Sequence, residues 1–126
     1  MPHVIIEHSD NFTGEFVKDL ILQIHQTLQN AEGNFNIEAC KGRAVSYNNY
    51  LLADNKKNRD FFHITIKILS GRSKEIRYNL SKKVLEKISP NLSEYKKING
   101  LNSETGFSVL IEEMDKEIYQ KISISE

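Results

Sequence analysis

The sequence predicts an α/β (α+β) fold in which two β-α-β units share one four-stranded mixed sheet, with both helices on one of its faces. Three observations carry that reading. Apolar residues recur at helical spacing in two windows, and each window follows a strand-like run. A shift of sixty positions then lays the second strand–helix pair on the first without a gap.

The first strand-like run is PHVIIEHS, residues 2–9, with Val4 and Ile6 on one side and Ile5 on the other. A helix follows, because Phe16, Leu20, Ile24 and Leu28 recur every four residues and Val17 and Ile21 widen the stripe. AEGNF at 31–35 reads as a turn, and EACKGRAVSYNNYLLA at 38–53 as a bent or bulged strand. In FFHITIKIL, 61–69, Phe62, Ile64, Ile66 and Ile68 alternate with His63, Thr65 and Lys67. The second helix carries Ile76, Leu80, Val84 and Ile88, and Ser89-Pro90 marks its end. NGLNSETG, 99–106, is a loop, and FSVLIEEM, 107–114, is a strand with Phe107, Val109 and Ile111 facing one way.

Under the sixty-residue shift His3 falls on His63, Ile6 on Ile66, Thr13 on Ser73 and Glu15 on Glu75. Thr13 and Ser73 are therefore expected as helix N-caps, each with an acid in the first turn to suit the helix dipole. Helix crossovers favour parallel pairing within each unit by the right-handed route. The expected organisation is one domain over 1–126, with pseudo-repeats at about 2–50 and 61–113 and a C-terminal extension at 114–126. The far face of such a sheet keeps apolar residues that copies of the chain would cover, and KEIYQKISISE, 116–126, is expected to add a short element at a subunit edge.

Composition narrows the function classes. With 17 basic and 17 acidic residues the chain has a formal net charge of zero, which argues against a nucleic-acid binder or a polybasic membrane anchor. Cys40 is the one cysteine, so no internal disulfide forms, as suits a reducing cytosol. No apolar run approaches the roughly 20 residues of a membrane span, and no basic stretch leads into a long apolar one. A cytoplasmic protein is expected.

PHVIIEHSDN, KGRAVSYNNYLLAD and FHITIKILSGRS together resemble the 5-carboxymethyl-2-hydroxymuconate delta-isomerases of the tautomerase superfamily. The resemblance runs from Pro2 to about Ser73 and, more loosely, through FSVLIEE at 107–113; its most specific parts are the proline after the initiator and Gly71-Arg72-Ser73. It implies a tautomerase-like fold, a homotrimer and an isomerase without a cofactor. It also implies a dienol dicarboxylate or tricarboxylate substrate from aromatic-acid breakdown, in the homoprotocatechuate branch. The reaction implied moves the 2-hydroxyl proton to a distant carbon and yields the conjugated ketone.

Four residues are the candidate site. Methionine aminopeptidase usually removes Met1 ahead of a small residue, and proline qualifies, so Pro2 would offer a free secondary amine. An α-amino group titrates at about 7.7–8.0 in reference peptides; burial beside cations lowers that and leaves a neutral base near physiological pH. Arg72, between Gly71 and the cap Ser73, would grip a carboxylate and stabilise the developing enolate at a helix start. Its repeat counterpart is Phe12, so the internal symmetry does not require an arginine there. Lys41 and Arg43 are the substrate-binding candidates. The family carries arginine at both positions; Lys41 keeps the charge and loses the planar fork.

The remaining polar residues are expected elsewhere. His3 and His63 are equivalent in the repeat, which favours a packing role on the sheet. His8 and His25 lack partners at metal-ligand spacing, so no metal site is expected. Glu7 could tune Pro2, Tyr47 and Tyr50 could line the pocket or pack, and Cys40 has no evident histidine partner. Two other functions stay open: a tautomerase of a different enol acid such as a phenylpyruvate-like one, and a trimeric small-molecule binding module without turnover.

Overall fold

In the computed structural model, which describes residues 1–125, β1 spans His3–Ser9, α1 Gly14–Asn30, β2 Lys41–Tyr47, β3 Arg59–Leu69, α2 Lys74–Ile98 and β4 Glu104–Met114. The sheet order is β2-β1-β3-β4. β1 pairs with β2, and β3 with β4, in parallel, while the central pair β1–β3 is antiparallel. This is the mixed sheet of two strand–helix–strand units that the sequence predicts.

The period-two pattern explains why. Val4 and Ile6 of β1 and Phe62, Ile64, Ile66 and Ile68 of β3 are all fully buried. They pack under the helical stripes Val17, Leu20, Ile24, Leu28 and Leu80, Val84, Ile88. Burying such a side chain is worth about 1.5–3 kcal/mol. A one-residue slip of β1 would turn Val4 and Ile6 outward, so the register is held by several kcal/mol. Phe107, Val109 and Ile111 of β4 share that covered side and pack partly against the core. Both helices start at the expected caps: Thr13 Oγ1 accepts from the Phe16 N–H at 3.3 Å and Ser73 Oγ from the Ile76 N–H at 3.2 Å.

Helix α2 departs from expectation. It does not stop at Ser89-Pro90 but runs through Pro90 to Ile98. Local chemistry opposes this, since proline leaves the carbonyl four residues back without its donor. Tertiary packing prevails: Leu92 is buried, Tyr95 stacks on Phe16 with ring centroids 4.0 Å apart, and the Tyr95 hydroxyl accepts the Thr13 N–H at 3.1 Å. Asn91 Nδ2 donates to Gln23 Oε1 at 3.1 Å, a second tie between the helices. Pro90 and Glu86 are exposed, so the orphaned carbonyl can bond to water.

Two smaller boundaries also differ. Ile37–Ala39 form a 3-10 turn where a strand was expected, because Asn36 caps it by accepting the Glu38 N–H at 3.0 Å. β4 begins at Glu104 within the expected loop, where the Glu104 N–H donates to the Asn58 carbonyl at 3.0 Å. Beyond β4 the chain turns at Asp115, whose carbonyl accepts the Ile118 N–H at 3.1 Å. Of the expected extension, Glu126 lies outside the described residues.

If packing alone carries α2 past Pro90, Leu92→Ala lowers unfolding free energy by about 2–4 kcal/mol, whereas Pro90→Ala raises it by about 1–3 kcal/mol. Urea denaturation reads both; a neutral Leu92→Ala would mean that the helix ends where the proline stands.

Candidate active site

Gly42 decides which way the charged residues of β2 point. A Cβ on it would lie 2.2 Å from Ile21 Cγ2 and 2.8 Å from His25 Nε2, so α1 presses on the strand there and only glycine fits. Its neighbours Lys41 and Arg43 therefore both project from the opposite, open face of the sheet. Lys41 is in register with His3 and Arg43 with Ile5. The Lys41 N–H donates to the Pro2 carbonyl at 3.0 Å, which holds the start of β2 against Pro2. Pro2 itself is buried, and Lys41 Nζ lies 3.5 Å from Met1 Sδ.

Arg72 approaches the same end of the sheet from the β3–α2 turn. Gly71 makes that turn with φ +122°, a conformation open to glycine. The Arg72 guanidinium stacks over Phe35 at 4.1 Å from the ring centroid. Its Nε donates to the Gly33 carbonyl at 2.8 Å, Nη1 to Leu69 at 3.3 Å and Nη2 to Asn34 at 3.4 Å. Three of the five guanidinium N–H groups are thus spent on the α1–β2 loop and the end of β3, and two stay available to an anion. Phe12, its repeat counterpart, is a buried core aromatic, stacked on Phe16, edge to face with Phe62 and tilted against Tyr95.

These cations act on the chain terminus. The Met1 amine is held below its ordinary value of 8.0, first by burial, then by Arg72, Lys121 and Lys41, with Cys40 acting in the opposite sense. A hollow of about 530 Å³ opens beside it, lined by Met1, Lys41 and the tail residues Tyr119–Ser123. Pro2, Lys41 and Arg72 therefore stand around the terminus at one end of the sheet. Arg43 lies beside them, its Nη1 3.1 Å from His3 Nδ1.

That contact sets the His3 tautomer. Arginine can only donate, so Nδ1 is the acceptor and Nε2–H donates to the Tyr119 hydroxyl at 2.8 Å. The neutral ring is also favoured by burial, then by Arg43 and Lys41, which hold its pKa below 6.5. His63, the repeat mate, sits among neutral partners instead, with Nδ1 2.6 Å from Ser108 Oγ and Nε2 3.2 Å from Thr65 Oγ1. Glu7 is not at the terminus: its carboxylate accepts the Tyr47 hydroxyl at 2.8 Å, further along β1. Tyr47 and Tyr50 pack near Phe61, with centroids 6.1 and 5.4 Å away. Burial raises the Cys40 pKa. Among the described residues no cluster of three or more His, Cys, Asp or Glu side chains could hold a metal ion.

The family model for 5-carboxymethyl-2-hydroxymuconate isomerase matches residues 2–124. The chain belongs to that isomerase family. A relative from Escherichia coli, the 5-carboxymethyl-2-hydroxymuconate Delta-isomerase, is 31% identical over 94 residues, which is 74% of each chain. The crystal structure of a 5-carboxymethyl-2-hydroxymuconate isomerase from Deinococcus radiodurans R1 superposes with a TM-score of 0.79 at 21% identity, covering 98% of this chain and 90% of that one. A fused 4-OT symmetric trimer superposes at 0.69 with 11% identity, over 90% of this chain and 86% of that one. The fold is thus that of the tautomerases, and the protein is an isomerase. The isomerase's tail residues Tyr119 and Lys121 escaped the sequence reading, because a single tyrosine and lysine in a short polar tail carry no periodicity to mark them.

His3 provides the pH test of this arrangement. As pH falls, the unfolded ring takes its proton near 6.5, while the folded ring resists to lower pH. The stability that neutral His3 contributes is present above 6.5 and is lost as pH falls through the window below it. A proton NMR titration should find the His3 midpoint below 6.5, and Arg43→Ala should move it upward; an unmoved midpoint would remove Arg43 from the ring's surroundings.

Proposed function

We propose that the isomerase converts 5-carboxymethyl-2-hydroxymuconate, or a closely similar 2-hydroxymuconate-type dienol, to its conjugated ketone in aromatic-acid catabolism of the homoprotocatechuate branch. The observation that carries the reading is the convergence of Arg72 and Lys41 on the amino terminus, with the terminal amine depressed by burial and those cations. Removal of Met1 would leave the Pro2 nitrogen as a secondary amine in the same surroundings, where burial and the neighbouring cations favour its neutral, proton-accepting form.

In this mechanism a substrate carboxylate binds through charge-assisted hydrogen bonds from Arg72, with Lys41 and Arg43 holding a second. Pro2 nitrogen takes the 2-hydroxyl proton, the electron pair moves through the diene as the 2-oxo group forms, and the resulting prolinium returns the proton to the distant carbon. Arg72 stabilises the negative charge between the two transfers. The proton is conserved and no cofactor takes part.

The reading includes a homotrimer in the cytoplasm. Val45 and Leu110 stand 46% and 49% exposed on the open face of the sheet, and Ile118, Ile122 and Ile124 of the tail stand 77%, 84% and 87% exposed. Apolar surface of this kind is what neighbouring subunits cover. A fused 4-OT protein of the same fold is described as a symmetric trimer. Lys41, where the family has arginine, favours a second reading in which the enol acid differs, for instance a phenylpyruvate-like one.

Mass spectrometry of the purified protein should show Met1 absent. The kcat/KM for dienol loss should climb with pH and level off above a midpoint below about 7.7, the ordinary α-amino range. Acylating Pro2 should abolish turnover, and Arg72→Ala should reduce kcat/KM on the order of a hundredfold or more. Retained Met1 with no dienol turnover would leave a binding module in place of an enzyme; turnover indifferent to acylation would remove the Pro2 nitrogen from the chemistry, and a loss under threefold in Arg72→Ala would remove that residue from it.

A further inference from the structure

The tail Tyr119–Ser123 forms one wall of the hollow beside the terminus, and Met1 and Lys41 form the other. It is anchored there by a relay across the open face: Arg43 donates to His3 Nδ1 at 3.1 Å, and His3 Nε2–H donates to the Tyr119 hydroxyl at 2.8 Å. Tyr119 and His3 also meet edge to face, with centroids 6.0 Å apart. Further back, the Lys116 N–H donates to Ser70 Oγ at 3.1 Å and the Ser70 N–H to the Met114 carbonyl at 2.8 Å, so the tail is tied to the end of β3 that leads into Arg72. Lys121 stands two residues beyond this anchor, in the wall itself.

We propose that Lys121 is a specificity-determining residue that binds the third carboxylate of a tricarboxylate substrate, and that Tyr119, held by His3, positions it. This rests on the function proposed above. Lys41 and Lys121 line the hollow, and Arg72 acts with both of them on the Met1 amine, lowering its affinity for a proton. With Arg43 beside Lys41 on β2, these make three separate cationic positions, which match a trianion. A dianion occupies Arg72 and the Lys41–Arg43 pair and leaves Lys121 idle, so the tail discriminates by charge count. An exposed lysine is well suited to this, since a compact point charge on a flexible stem reaches a carboxylate without a fixed approach angle.

Calorimetric titration with two inert acids separates this from the reaction. Propane-1,2,3-tricarboxylate and glutarate are each titrated into the wild type, Lys121→Gln, Lys121→Arg and Tyr119→Phe. Lys121→Gln should weaken the tricarboxylate about five- to tenfold, leave glutarate within about twofold, and be rescued by Lys121→Arg. Tyr119→Phe, which frees the wall and keeps its charge, should weaken the tricarboxylate by a smaller factor, about two- to threefold. With a dienol tricarboxylate as substrate the Lys121→Gln loss should fall on KM, with kcat nearly unchanged. Equal affinity in wild type and Lys121→Gln, an equal loss for both acids, or a wild type that binds neither acid would overturn the proposal. A wild type that binds the tricarboxylate through Lys121 yet turns over no dienol would instead overturn the proposed reaction and leave this binding role standing.

Discussion

The arrangement depends on one constraint: β1 and β3 can bury only one of their faces. Val4, Ile6, Phe62, Ile64, Ile66 and Ile68 go under the helices, and strict alternation then commits His3, Glu7, His63 and Lys67 to the other side. The parallel register of β2 on β1 brings Lys41 and Arg43 to that side as well. Charge thus collects on the open face because apolar burial has claimed the covered one. Where that face meets the start of β1, the chain terminus sits among cations.

The duplication supplies two similar units, and the departures between them make one end of the sheet chemically distinct. Phe12 fills the core at the end of β1, while Arg72, at the equivalent position after β3, turns to the α1–β2 loop and stacks on Phe35. Gly33, with φ +128° and a ring carbon of Phe35 only 2.6 Å from where its Cβ would lie, lets that loop present its carbonyl to the guanidinium. Arg72 is therefore a structural clasp as well as a cation facing the terminus. The two roles use different N–H groups of one side chain.

The same division runs through the histidines. His3 and His63 occupy matching positions on β1 and β3, yet one is wedged between a guanidinium and a phenol and the other between two hydroxyls. Symmetry in the sequence predicts a shared place on the sheet. It does not predict shared partners, because those come from β2, β4 and the tail, where the repeat has diverged.

What the sequence by itself determined is whatever follows from local spacing: the alternating strands, the two helical stripes, the caps Thr13 and Ser73, and the mixed sheet of two units. The candidates Pro2, Lys41, Arg43 and Arg72 were legible through the family resemblance, and the fold gathers Pro2, Lys41 and Arg72 around the terminus with Arg43 beside them. Only the tertiary structure decided that α2 continues past Pro90, that Arg72 spends three donors on backbone carbonyls, and that Tyr119 and Lys121 reach the terminus. Each of these joins groups far apart in the chain: Tyr95 with Phe16, Arg72 with Gly33, Tyr119 with His3. Periodicity reports neighbours three or four residues away and is silent about contacts made only once the sheet has closed.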